Sequence, residues 1–174
     1  MKIPTQAINI IKKWEGFEAR AYPDSVGVWT IGYGTTARAN VGIEPTAGMK
    51  ITEAQATVYL NRALEKFASQ IRPFITAPIN DNEWSAFLSL AYNIGPGAFR
   101  KSTALRRFNA GDKAGAAEAL TWFNKAGGRV LRGLERRRAE EKALFLTAPP
   151  KSPTGLLARL RAWWRSAISM IQNT

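Results

Sequence analysis

The chain has 174 residues, enough for one or two domains whose hydrophobic core needs no disulfide or metal to hold it. It contains no Cys and no His, which excludes a thiol nucleophile, a Ser-His triad, a disulfide and an ordinary structural zinc site, and leaves catalysis to carboxylates, hydroxyls and amines. Twenty-five Lys and Arg against thirteen Asp and Glu leave a net charge of +12, so the expected partner is polyanionic: nucleic acid, an anionic membrane, or a cell-wall polymer with anionic neighbours.

The apolar run of Met1 to Trp14 is interrupted by Thr5, Gln6, Asn9, Lys12 and Lys13. It reads as neither a signal peptide nor a membrane span, and the expected product is soluble and cytoplasmic. With Thr5 as N-cap, Ala7, Ile10, Ile11 and Trp14 fall at i, i+3, i+4 and i+7, an amphipathic helix stopped by Gly16. The next position on that stripe is Glu15. Burial and the negative end of the helix dipole both disfavour its ionised form, so it can keep a proton near neutral pH. A Glu turned into water, or paired with an Arg, is the competing reading and the commoner fate of a lone Glu at a helix end.

Between Phe17 and Thr36 the period changes to two. Trp29, Ile31 and Tyr33 alternate with Thr30, Gly32 and Gly34, and Pro23-Asp24-Ser25 with Gly27 supply turn signals, which together predict a small antiparallel sheet. On the strand Trp29 to Gly34 one face carries only a hydroxyl and two glycines. Either that face leaves room for something bulky, or the glycines simply mark bulges.

After a loop with Gly42, Pro45 and Gly48 the sequence predicts helix almost to its end. Thr52 and Gln55 form a capping-box pattern, and Ala56, Tyr59, Leu60, Ala63, Leu64 and Phe67 continue one stripe until Arg72 and Pro73. Shorter helices are expected at 82–93, 102–109 and 112–123, punctuated by Gly95-Pro96-Gly97, Gly111 and Gly127-Gly128, with a last core helix at 134–146. The fold class is α+β and mostly helical: one domain over 1–147, with a small sheet-bearing lobe at about 15–50, a helical lobe at about 52–147 and a groove between them.

A proline-rich linker at 148–153 is followed by a basic amphipathic helix at 154–172. Leu156, Leu157, Leu160, Trp163, Trp164, Ala167, Ile168 and Ile171 share one face, while Arg159, Arg161, Arg165, Ser166 and Ser169 take the rim and back. That profile suits a helix lying in an anionic membrane interface; docking of the apolar face on the main domain or on a partner subunit is the alternative.

Three polar residues in the first lobe form a set: Glu15 at a helix end, Asp24 in a turn, and Thr30 on the small-residue strand face. Glycoside cleavage needs a protonated acid for the leaving oxygen and an ionised carboxylate across the bond to direct water or stabilise the cation. Glu15 suits the first role and Asp24 the second, with Thr30 able to hold the water.

The stretch WEGFEARAYPDSVGVWTIGYGTT, Trp14 to Thr36, resembles the catalytic region of the phage-type (T4-like) lysozymes of glycoside hydrolase family 24. AYNIGPGAFRKSTALRRFNAG, Ala91 to Gly111, and GGRVLRGLERRRAEEKALF, Gly127 to Phe145, are similar to further family motifs, so the resemblance covers about residues 5–147. It implies a lysozyme-like, two-lobed fold and cleavage of the β-1,4 bond between N-acetylmuramic acid and N-acetylglucosamine in peptidoglycan. Glu15 is then the general acid, and Asp24 and Thr30 position the attacking water of an inverting reaction. Gly32 and Gly34 support the substrate side, Asn93 lines the cleft (or caps a helix before Gly95), and Arg137 is the arginine near the acid. The family's frequent Asn just before that arginine is replaced here by Arg136. Of Arg136, Arg137 and Arg138, three consecutive helical positions, at most one can point into a cleft, and the plain reading of the run is a solvated face. A guanidinium near Glu15 also favours its charged form, which desolvation and substrate must outweigh.

The resemblance further implies a monomeric endolysin that uses no metal and no cofactor. It stays in the host cytoplasm until a holin opens the inner membrane, and acts on peptidoglycan in the periplasm. The basic tail adds an anionic bacterial membrane or lipopolysaccharide as a second partner. Two rivals are a lytic transglycosylase, against which Asp24 and Thr30 argue, and a non-enzymatic nucleic-acid-binding domain. Scattered basic residues without a helix-turn-helix or aromatic RNA-binding motif argue against the latter, so no nucleic acid is expected as partner.

Overall fold

The computed structural model describes residues 2–148. The rest of the linker and the expected helix at 154–172, with its leucines, tryptophans and arginines, lie outside the described residues.

Helix α1 runs over Thr5–Glu15. Its cap is Pro4 in an extended conformation and not Thr5, which is the first helical residue. The Pro4 carbonyl accepts from Ala7 N at 3.0 Å, so backbone alone starts the helix. Ala7, Ile10 and Ile11 are buried, as their spacing requires, and Gly16 at φ +71° ends the helix.

Strands β1 (Glu18–Pro23), β2 (Trp29–Gly32) and β3 (Thr35–Thr36) form one antiparallel sheet in that order. The pairings are Tyr22 with Thr30, Thr30 with Thr36 and Ile31 with Thr35, with a bulge in β1 between Glu18 and Tyr22. The strand expected to reach Gly34 stops at Gly32. Gly32 and Gly34 both have positive φ, and the chain turns back through Gly32-Tyr33-Gly34. The small-residue face is also not left free throughout. A Cβ at Gly32 would stand 3.0 Å from the Ala56 Cβ and 3.2 Å from the Ile51 Cδ1, so helix α2 (Glu53–Ile71) occupies that room.

The α2 capping box is complete: Gln55 N donates to the Thr52 hydroxyl at 3.2 Å and Thr52 N to the Gln55 side chain at 2.8 Å. Ala56, Leu60, Ala63 and Leu64 are buried, and the helix ends at Ile71, where a 3₁₀ turn at Arg72–Phe74 carries Pro73. Helix α3 (Asp81–Ile94) is capped by Asn80 and buried on nearly all sides from Asn82 to Ala91, which makes it the central element. Around it pack α4 (Pro96–Arg100), α5 (Thr103–Asn109), α6 (Lys113–Leu120) and α7 (Arg132–Leu146). Phe87 of α3 meets Phe99, Phe108 and Phe145 at centroid separations of 5.2, 5.1 and 5.2 Å, tying three of these helices to the centre.

Two stretches differ from the expected run of helix. Residues 96–100 form α4, and β4 (Lys125–Ala126) pairs with β5 (Arg129–Val130) across Gly127 and Gly128, both at positive φ. The pair read as punctuation is thus a hairpin turn. Among the described residues no helix is long and apolar enough to cross a membrane.

Gly32→Ala places a side chain in the left-handed region and against α2. The expected loss is about 1–3 kcal/mol, read as a lower midpoint in urea or thermal unfolding. A neutral or stabilising result would show that the β2–α2 contact is looser than described.

Candidate active site

Glu15 is the last residue of α1, where the helix stops on Gly16 and the side chain turns towards α7. Its Oε1 accepts a hydrogen bond from Arg137 Nη1 at 2.8 Å, and its side chain keeps 23% of its surface exposed. Arg137 is therefore the arginine that pairs with Glu15. On the other side stands Gly34. A Cβ there would lie 3.9 Å from Glu15 Oε2, so the glycine leaves that oxygen approachable.

Glu15 and Gly34 open onto a cavity of about 460 Å³ whose walls include Thr35, Thr36, Arg38, Lys66, Gln70 and Tyr92. Tyr92 donates its hydroxyl to the Tyr33 carbonyl at 3.0 Å, pinning the β2–β3 turn to α3. Burial first, then the charge of Glu15, push the Tyr92 hydroxyl well above the usual phenol range, so it acts as a neutral donor. The same turn is held from its other side: Tyr33 donates to Glu53 at 2.6 Å, and Lys12 pairs with that carboxylate at 2.9 Å. Arg38 and Lys66 give the cavity a positive wall, which favours anionic groups.

Asp24 sits in the β1–β2 turn, half-buried. Its Oδ1 accepts from Val26 N at 2.9 Å and Val28 N at 2.8 Å, and this side-chain turn fixes the carboxylate. Among the described residues no hydrogen bond reaches its Oδ2. Thr30, in β2, is 5% exposed and donates to the Val28 carbonyl at 3.1 Å, so the hydroxyl lone pairs remain to accept. Neither residue lines the Glu15 cavity. Thr30 adjoins it through Thr36, its sheet partner, which does line the cavity, and pairs on its other side with Tyr22. Burial and the charges of Glu18, Asp24 and Glu15 raise the Tyr22 hydroxyl above its ordinary range, so one phenol feels both carboxylates.

Asn93 lies elsewhere. It is exposed in the last turn of α3 and lines a separate hollow of about 400 Å³ with Phe123, Lys125, Leu131 and Leu134. The helix cap beyond it is Gly95. Of the arginine run, Arg136 is exposed, as a solvated face requires. Arg137 and Arg138 are not: they are 4% and 0% exposed.

The reason is Glu141, a fully buried carboxylate that sequence reasoning passed over. Its Oε1 accepts from the Ser89 hydroxyl at 2.6 Å, Arg138 Nη2 at 2.9 Å and Arg137 Nε at 3.3 Å. Burial raises this carboxyl above its ordinary range, and the pull of Arg138, Ser89 and Arg137 opposes that rise without cancelling it. Two guanidiniums on one oxygen favour the carboxylate. Burial also lowers Arg138, to about 10, against the opposing pull of Glu141, which leaves it cationic at neutral pH. Trp14 Nε1 donates to Glu140 at 2.7 Å and Lys13 pairs with the same carboxylate, so α1 is fastened to α7 beside the Glu15 contact.

Comparison with known proteins identifies the family. A family model described as phage lysozyme matches residues 12–141. The endolysin of Salmonella phage P22 is 37% identical over 147 residues, covering 84% of this chain and 99% of the relative. The endolysin of Bacillus phage PZA is 36% identical over 154 residues; the match takes in 87% of this chain but only 58% of that longer protein. Among solved structures, the endolysin of Escherichia coli O157:H7 phage FAHEc1 superposes with a TM-score of 0.75 at 40% identity, covering 87% of this chain and 98% of that one. The family match, the identities and the shared lysozyme-like fold together place this chain in the phage lysozyme family.

Proposed function

We propose that the chain is a peptidoglycan hydrolase, an N-acetylmuramidase that cleaves the β-1,4 bond between N-acetylmuramic acid and N-acetylglucosamine. The observation that carries this reading is Glu15 at the wall of an open cavity, with one oxygen held by Arg137 and the other facing Gly34. A glycan strand lies in the groove between the sheet-bearing lobe, at about 15–50, and the helical lobe, at about 52–147. Glu15, protonated in the substrate complex, gives its proton to the glycosidic oxygen as the C–O bond breaks. Asp24 Oδ2 takes a proton from the water that adds to the anomeric carbon on the opposite face, and Thr30 accepts a hydrogen bond that orients this water. Glycan that covers Glu15 strips solvent from it and supports the protonated form against Arg137.

In the infected cell this is endolysin chemistry. Relatives named endolysin support that setting. The enzyme waits in the host cytoplasm, reaches the wall when a holin opens the inner membrane, and works on the glycan of the periplasm. A second reading concerns 154–172. The apolar stripe containing Trp163 and Trp164, with Arg159, Arg161 and Arg165 behind it and no acidic residue after Lys151, supports docking on anionic lipid or lipopolysaccharide of the outer membrane.

Glu15→Gln removes the donated proton at nearly constant shape. On purified sacculi it is expected to lose on the order of a thousandfold or more in rate, with Asp24→Asn also strongly impaired. Product masses from wild type should carry the reducing end of hydrolysis. An anhydro end, one water lighter, would replace the hydrolase by a lytic transglycosylase, and substantial activity in Glu15→Gln would remove the acid assignment.

Arg136→Ala should change neither turnover nor stability measurably, whereas Arg137→Ala should cost about 3–5 kcal/mol in urea unfolding because it strips two carboxylates of a buried partner. Equal effects of the two would contradict the placement of this helix face. Deleting 149–174 should leave activity on sacculi intact and abolish killing of whole Gram-negative cells from outside. Undiminished killing would end the membrane reading.

A further inference from the structure

Four charged side chains form one continuous cluster beneath the cavity. Arg137 Nη1 reaches Glu15 at 2.8 Å, and its Nε reaches Glu141 at 3.3 Å, so two carboxylates share one guanidinium. Arg138 holds the same Glu141 oxygen from α7 at 2.9 Å, and the Ser89 hydroxyl of α3 completes the contact at 2.6 Å. Glu141 and Arg138 are both 0% exposed and neither lines the cavity, which meets the cluster at Glu15. Such a cluster is an expensive way to fill space, since an apolar group of equal volume commonly serves stability as well.

We propose that the buried Arg138–Glu141 pair is a charge regulator for Glu15 that acts through Arg137. The inference rests on Glu15 as the proton donor and concerns how that donor is kept usable. With every member ionised, two guanidiniums face two carboxylates and the cluster is neutral. When Glu15 carries its proton, Glu141 still balances one guanidinium, and a single positive charge remains over Arg137 and Arg138. Without the Glu141 charge, a protonated Glu15 would face two uncompensated guanidiniums, which drive the proton off. Glu141 thus weakens the grip of Arg137 on Glu15 without loosening its geometry.

The remaining groups around Glu15 do not supply this balance. Tyr92 of α3 and Tyr22 of β1 are held neutral, and Arg38 after β3 and Lys66 of α2 add positive charge at the cavity wall. Ser89 faces Glu141 from α3 as a neutral donor. Glu141 is a positioning residue in charge as well as in space: it touches neither the cavity nor the reacting atoms.

Two variants of the full chain test this, with opposite expected signs. Glu141→Gln keeps an acceptor for Arg137 Nε and deletes only the charge; Arg138→Met deletes a cation and leaves Glu141 on Arg137 and Ser89. The readout is the ¹³C-carboxyl titration of Glu15, assigned by the signal lost in Glu15→Gln, beside the pH dependence of kcat/KM on sacculi. In Glu141→Gln the Glu15 midpoint should fall by about one pH unit, and the alkaline limb of activity should move with it. In Arg138→Met both should rise. If Glu141→Gln does not fold, Arg138→Met decides alone, since burial of Met for Arg conserves volume. An unmoved Glu15 midpoint in a folded variant, or shifts of the same sign in both, overturns the inference. The titration does not depend on catalysis, so an active Glu15→Gln would sink the acid assignment and leave this result readable.

Discussion

A guanidinium has five donors fixed in one plane, and a buried one must find acceptors for them in the directions that plane allows. Arg137 finds three, and they belong to three parts of the chain: the Glu15 carboxylate at the end of α1, the Ser89 carbonyl of α3 at 3.3 Å, and Glu141 one turn along α7. The planar fork therefore sets where α1 ends relative to the central helix. Since α1 runs directly into β1 through Gly16 and Phe17, it also sets where the sheet begins. Trp14 and Lys13 on Glu140 fasten the same junction from its outer side. The carboxylate at the cavity wall is thus placed by helix packing and not by loop geometry, which is the more exact way to hold a reacting group.

The parts of the fold that follow from apolar periodicity were legible in the sequence, because their cause is local. The Ala7-Ile10-Ile11 stripe, the Thr52-Gln55 box and the stripe from Ala56 to Leu64 depend on nothing beyond 3.6 residues per turn and a cap. The hairpin at Lys125–Val130 was hidden because two-residue strands are too short to show alternation, and its glycines looked like an interruption. Gly32 misled for a related reason. A missing side chain signals a close approach but does not say whose, and here the neighbour is Ala56 of α2 together with Ile51.

The site divides in the same way. Glu15, Asp24 and Thr30 stand out by spacing, and the structure sets Glu15 on the cavity, Thr30 one strand behind its wall through Thr36, and Asp24 in the β1–β2 turn outside its lining. Arg138 and Glu141 were missed because a charged residue is read as solvated by default. The available signal was register. Arg138, Glu141 and Phe145 recur at i, i+3 and i+7, so the two opposite charges occupy the core stripe of α7, a pattern that favours a buried pair over a wet face. Asn93 shows the converse: its motif was informative, yet it faces the hollow beside β4 and β5 and not the acid.

These features bear on one conflict built into the site. A general acid must hold a proton, and a guanidinium 2.8 Å away works against that. Removing the guanidinium would resolve the conflict electrostatically but would release the end of α1, because the same group carries the helix junction. Compensating it from behind resolves both. A carboxylate on the far side of Arg137 reduces the net charge that Glu15 feels while adding a further bond to hold the fork in place. Because that carboxylate would itself be unstable alone in the interior, it needs Arg138 and the Ser89 hydroxyl beside it. On this argument each member of the cluster follows from the one before it, and the chain of necessity starts from a helix that ends in an acid.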